Sequence, residues 1–269
     1  MKASISSWSY REWFNDGRID LPAFVDEVAR LGADGLEIFP RHIDPDNVGG
    51  QIKAVAEQAR KAGLDVASVI AANDFACADL RQRADAVEKM KEWIGFCAAA
   101  GIERMNTFTG YHRDGQDPVA EVYRVVDAYR EVMPTAREHG VLLCVENHST
   151  VARDADGLMA ILAMVGDDHL RTNPDPSNFV REFTTRSERA CEAIYTETAK
   201  IAPAAANAHV KVGDFDEAGE HAHLDVPRLL GVLKDAGYDG HVVMEVYGEN
   251  AAKPDETCKK GLEMLRRHF

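Results

Sequence analysis

The sequence predicts an α/β chain folded as a single (β/α)8 barrel over residues 1–269. Three observations lead there. Short β-branched or apolar runs alternate with amphipathic helical patterns from end to end, the signature of βα units on a parallel sheet. The rhythm repeats about eight times. No Pro/Ser/Gly-rich linker or shift in composition divides it, and barrels of this length fold as one unit.

Strands are expected at 3–7, 35–39, 65–70, 103–108, 141–146, 170–173, 208–212 and 241–246. The second reads Gly35-Leu36-Glu37-Ile38-Phe39 and the eighth Val243-Met244-Glu245-Val246, each an apolar run broken by one acid. The sixth is the weakest, being nearly all polar. Helices are expected at 21–31, 48–62, 80–100, 119–139, 155–165, 187–201, 226–236 and 255–268. Five of them stop at a glycine (Gly32, Gly63, Gly101, Gly140, Gly237), where a left-handed cap is cheapest, and the next strand follows within a few residues. An open doubly wound sheet that binds a nucleotide calls for a Gly-rich loop after the first strand. Here that loop reads Trp8-Ser9-Tyr10-Arg11.

A hydrophobic content of 45% suits a compact globular protein. The formal net charge of -14 repels a phosphate backbone, which argues against nucleic acid as a partner. No stretch reaches the roughly 18 apolar residues of a membrane span, and Met1 to Tyr10 lacks a signal-peptide core, so a cytoplasmic protein is expected with no membrane partner. Five cysteines without a CxxC pair read as reduced, mostly buried thiols. Cys144 stands two residues before a candidate ligand.

Chemistry in such a barrel gathers at the C-terminal strand ends. Alternation turns Val145, Val210, Met244 and Val246 toward the helices, and Glu146, His209 and Glu245 toward the axis. With Asp175 after the sixth strand, four consecutive strands offer O, O, N and O donors to one point. Carboxylates in apolar company are costly unless paired or bound to metal. An oxygen-rich set of this kind suits one divalent ion, Mn2+ first, with Mg2+, Co2+ or Zn2+ as alternatives. Lys211 shares the inward face of His209 and is a candidate to hold a substrate oxygen or a developing negative charge; the alternative is an ion pair with Asp214 or Glu245. His148 is a candidate proton carrier, with a structural hydrogen bond as the alternative. Glu37 points into the barrel, either to line the floor of the site or to pair with an interior Arg or Lys. Trp8, Tyr10, His42, Asn73, Phe75, Asn106, Phe108, Tyr111 and His112 lie on the same face and are candidates to shape a pocket, or loop packing.

Five segments carry a resemblance: Gly32-Ala33-Asp34-Gly35-Leu36-Glu37, the Glu146 strand, Asp175 to Asn178, His209-Val210-Lys211, and Ala236-Gly237-Tyr238-Asp239-Gly240 leading to Glu245. In these the chain resembles the xylose isomerase-like TIM barrel superfamily, and within it the sugar phosphate isomerase/epimerase family of ketose 3-epimerases, hydroxypyruvate isomerases and inosose dehydratases. The resemblance implies that Glu146, Asp175, His209 and Glu245 bind the metal and that the two glutamates exchange a substrate proton. It also implies a homo-oligomer. Asn178 stands where these epimerases commonly carry a histidine that contacts the polyol, and is the substrate-contact candidate there.

The expected function is that of a metal-dependent isomerase or epimerase, acting on a keto-sugar or polyol by proton abstraction next to a carbonyl, through an enediolate. β-Elimination from the same enediolate, with His148 or His112 as general acid, is the alternative. Two others are a three-zinc abasic-site endonuclease, against which the charge argues, and a non-catalytic sugar-binding protein.

Overall fold

The computed structural model describes residues 1–148, 151–180 and 188–269. Its strands are β1 (Lys2–Ser6), β2 (Gly35–Ile38), β3 (Asp65–Ile70), β4 (Arg104–Thr107), β5 (Leu142–Glu146), β6 (Leu170–Asn173), β7 (Ala208–Val212) and β8 (His241–Val246). All observed pairings are parallel, in the order β6-β5-β4-β3-β2-β1-β8-β7. A parallel bridge between Thr172 and Ala205 brings the two ends together, and the His209 amide donates to the Pro174 carbonyl at 2.8 Å. The expected barrel is present.

The helices among the described residues are α1 (Arg11–Asn15), α2 (Leu21–Leu31), α3 (Val48–Lys61), α4 (Leu80–Ala100), α5 (Pro118–His139), α6 (Ala155–Val165), α7 (Glu188–Ile201), α8 (Val226–Asp235) and α9 (Pro254–His268). Strand and helix bounds differ from expectation by a residue or two at several ends, and Ser187, the expected start of the sixth predicted helix, lies outside the described residues. Sequence reading missed α1 and the 3-10 turn Ser7–Tyr10 before it, because five residues are too few for a periodic pattern to register. No helix is long and apolar enough to cross a membrane, among the described residues.

Local chemistry sets where the long helices begin and end. Asp79 caps α4 by accepting from the amides of Arg81 (2.9 Å) and Gln82 (3.0 Å), and Asp117 caps α5 by accepting from Val119 at 3.0 Å. Gly101 and Gly140 close the same helices in the left-handed region, at φ 74° and 67°. The outer barrel face packs tightly on the helix layer: a Cβ on Gly261 of α9 would lie 2.6 Å from Met244 Sδ, so a larger residue there requires the Met244 side chain to move. Met244, Val210, Val145 and Val246 are fully buried there, as alternation predicts.

The barrel interior is polar by contrast. Ser4, Ser6, Glu37, Ser68, Asn106, Asn173 and Asn207 are all fully buried. Buried polar groups are costly unless they bond to one another, so this lining points to a site rather than to a packed core.

Candidate metal centre

Four elements converge at the C-terminal mouth. Glu146 ends β5, His209 and Glu245 lie on β7 and β8, and Asp175 sits two residues past β6 as the cap of the 3-10 turn Pro176–Phe179. All four are buried. Asp175 is aimed by its neighbours: Asn147 donates through Nδ2 to the Asp175 carbonyl (2.9 Å) and accepts the Asp175 amide on Oδ1 (2.8 Å), while Ser177 N donates to Asp175 Oδ1 at 3.1 Å. Ligand atoms of Glu146, Asp175 and His209 lie within 4.8 Å of one another, and so do those of Glu37, His209 and Glu245.

His209 is the common member and shows what the cluster is for. Its Nε2 faces Glu37 Oε2 at 3.0 Å. Its Nδ1 is buried with no hydrogen-bond partner, 3.6 Å from Glu146 Oε2 and 3.8 Å from Glu245 Oε1. An imidazole nitrogen left open between two carboxylates is the arrangement that a cation completes. The residues therefore fit a hard divalent ion held by oxygen and one nitrogen.

The electrostatics agree. Burial pushes Glu245 up to about 7 and also raises Glu146, with His209 nearby opposing both shifts. Burial disfavours the charged form of His209, but Glu37, Glu146 and Glu245 outweigh it and hold the ring well above the usual histidine range. For Asp175 burial is likewise outweighed, by the Lys211 ammonium, and its carboxyl falls below the ordinary value. Among the described residues, Lys211 and the His209 ring are thus the positive partners of four buried acids, Glu37, Glu146, Asp175 and Glu245.

Lys211 reaches the Asp175 carboxylate and donates to Asn178 Oδ1 at 3.0 Å; Glu245 Oε2 is 3.8 Å away. Its main partner is therefore Asp175, where sequence reading weighed Asp214 or Glu245. Both oxygens of Glu146 accept amide hydrogens, from Asn106 Nδ2 (2.7 Å) and Asn178 Nδ2 (3.0 Å). Glu37 accepts from Ser68 Oγ and, at 3.4 Å, from Asn207 Nδ2. The expected interior Arg or Lys partner is replaced by His209, while the next inward basic residue of β7, Lys211, is engaged by Asp175.

A cleft of about 1150 Å3 opens from Glu146, Glu245 and Lys211, with Trp8, Phe108, Tyr111 and His148 among its walls. Trp8 packs on Phe39 at 4.7 Å between ring centroids. His148 is exposed at the mouth, its ring 5.3 Å from that of Phe108. Of the predicted contacts Trp8 lines the cleft; Asn106, Asn178 and Glu37 sit against Glu146 and His209, and His42 and His112 are engaged elsewhere. His42 turns away to stack on Phe14 (3.7 Å) and bond Ser7 Oγ (3.0 Å), where burial lowers it to about 4. His112 is drawn to the buried Glu121 at 2.5 Å. Tyr10 and Phe75 are core residues, and Asn73 pins β4 by exchanging bonds with the Phe108 backbone. Cys144 is a core thiol pushed up to about 12 by burial.

Sequence reading missed Asn147, Ser68 and Asn207. Asn147 carried a signal, being polar beside Glu146 at a strand end; Ser68 and Asn207 carried none, since a small polar residue on a strand is usually a surface residue.

Residues 25–268 match the model of the xylose isomerase-like TIM barrel family. Solved structures share the fold over nearly whole chains. A D-psicose 3-epimerase crystallised in the presence of D-fructose superposes with a TM-score of 0.79 at 18% identity, covering 100% of this chain and 99% of its own. The Escherichia coli 3-keto-D-glucoside 4-epimerase YcjR gives 0.72 at 14% identity, covering 99% of each. The IOLI protein with a binding zinc atom gives 0.76 at 17% identity, covering 100% and 99%. With a family match over most of its length, a parallel eight-stranded sheet and an acid-rich cluster at the strand ends, this chain belongs to the xylose isomerase-like TIM barrel family.

Proposed function

We propose that the chain is a divalent-metal-dependent sugar isomerase or epimerase that moves a proton next to the carbonyl of a keto-sugar or polyol-like substrate. The observation that carries this reading is the open, buried His209 Nδ1 between the Glu146 and Glu245 carboxylates, at the end of a cleft wide enough for a sugar. The similar structures, which include sugar epimerases and a zinc-bound protein, support it.

Glu146, Asp175, His209 and Glu245 would hold the ion, Mn2+ by the hardness of the set, with Mg2+, Co2+ and Zn2+ the competing choices. Bound there, it supplies Lewis acidity to a carbonyl oxygen and its neighbouring hydroxyl. The chain's own residues do the rest. Glu245, on β8 at the end of the cleft, is placed to take and return a substrate proton. Glu146, pinned by Asn106 and Asn178, is the second carboxylate and faces the substrate from β5. Lys211 faces the negative charge that develops on the substrate oxygens. Trp8 and Phe108 wall the sugar ring, and His148 at the mouth is placed to carry a proton to or from solvent.

Incubating the metal-loaded protein with keto-sugars in D2O tests the reading. Deuterium at the carbon next to the carbonyl, without loss of water, is the expected result. Stoichiometric formation of a dehydrated product would make the protein a lyase, and no exchange on any keto-sugar would end the enzymatic reading. Glu146→Gln should abolish exchange.

A further inference from the structure

Residues 151–154, which follow β5, are held at both ends. Thr109 Oγ1 donates to the Val151 carbonyl at 2.5 Å, and the Val151 amide donates to the Gly110 carbonyl at 3.3 Å. Gly110 is itself fixed: it stands at φ 119°, and a Cβ there would lie 2.8 Å from the Ala76 backbone nitrogen. At the other end Asp154 accepts the Gly157 amide at 2.8 Å and caps α6. Between these anchors Ala152 takes φ 54°, the one positive φ outside glycine among the described residues. A Cβ is disfavoured in that region, and such conformations persist where the surroundings over-determine them, most often at functional sites.

The strained residue delivers Arg153. Its Nε donates to the Asn178 carbonyl at 2.5 Å, in the 3-10 turn that Asp175 caps. Such a turn repeats every three residues, so Asn178 lies over Asp175 and presents its amide to the same side. There Nδ2 donates to Glu146 Oε1 and Oδ1 accepts from Lys211 Nζ, each at 3.0 Å. One amide thus spaces a carboxylate of β5 from an ammonium of β7. Turning it over would set oxygen against carboxylate and NH2 against ammonium, so the two charges fix its orientation. Its position depends on the turn, and Arg153 grips that turn by the main chain. Arg153 is not among the residues that wall the cleft.

We propose that Arg153 is a positioning residue for the proton transfer: by fixing the Asn178 turn it holds Glu146 and Lys211 at their working separation without touching substrate. This rests on the isomerase or epimerase reading of the metal centre. A misplacement of about 1 Å in such groups can cost roughly 100-fold in rate.

The first test follows solvent deuterium exchange from a keto-hexose with the metal-loaded full chain. In Arg153→Ala, kcat per bound metal should fall by at least about 10-fold while KM stays within about 3-fold, and millimolar guanidinium chloride should restore much of the loss. Arg153→Lys keeps the charge but not the fixed Nε–H, so it should show the same fall; it decides the point if the alanine variant does not fold. Unchanged kcat per bound metal, a change confined to KM, or a loss that guanidinium leaves untouched overturns the proposal. A second measurement needs no turnover. The Asn178 side-chain amide, identified in NMR spectra of the metal-free protein by its loss in Asn178→Asp, should shift in both Arg153 variants, and an unmoved resonance pair overturns the proposal. If the wild-type protein exchanges no deuterium on any keto-sugar, the catalytic reading fails, and the amide resonances still decide whether Arg153 sets the turn.

Discussion

At the scale of single residues, the centre turns on which nitrogen of His209 carries the proton. A carboxylate at Nε2 holds the N–H there, so the Nδ1 proton is the one that a bound cation displaces. Glu37, at 3.0 Å and fully buried like the ring itself, is that carboxylate. Its role is positioning, since it acts through His209. Glu37→Gln should therefore weaken metal binding by roughly 10- to 100-fold, read by competition with a chromophoric chelator. An unchanged affinity would remove Glu37 from the centre. Glu146, Asp175, His209 and Glu245 were legible because each interrupts an apolar run or a strand end with a costly group. Glu37 was half legible: its inward direction follows from alternation, but its partner lies 172 residues away in the chain.

At the scale of elements, each strand was readable where one face is apolar, and β6 was the hardest because Arg171, Thr172 and Asn173 leave almost no apolar pattern. Its place is set instead by pairing with β5, where Glu146 opposes Asn173. At the opposite end of the barrel, His241 ties β8 to β1 through Ser4 Oγ at 2.7 Å. Burial, only partly opposed by Asp65, lowers this histidine from 6.5 to about 4. The unfolded chain therefore binds a proton between those values that the folded chain refuses. Stability is full above pH 6.5 and is lost as pH falls toward 4, by up to about 3 kcal/mol from this group. Chemical denaturation of the metal-free protein from pH 7.5 to 4.5 should show this acid limb, and His241→Asn should flatten it. An identical limb in the variant would assign the acid sensitivity elsewhere.

At the scale of the whole molecule, the centre concentrates three buried carboxylates where Lys211 is, among the described residues, the one lysine or arginine ion-paired with them, so the fold should be stabilised by a divalent ion as a matter of linkage. With Mn2+ at 100 times its Kd the expected gain is about 2.7 kcal/mol, seen as a rise in melting temperature that EDTA reverses. No rise with Mn2+, Mg2+, Co2+ or Zn2+ would contradict the metal reading. The sequence by itself determined the βα rhythm, the inward set on the last four strands and the net charge of -14. Those properties follow from local periodicity and from charges that add without regard to geometry. Only the tertiary structure decided that Glu37 serves His209, that Lys211 rests on Asp175, and that His42 packs on Phe14 instead of lining the cleft. These depend on distances between residues remote in the chain, which closure of the barrel sets and no local pattern encodes.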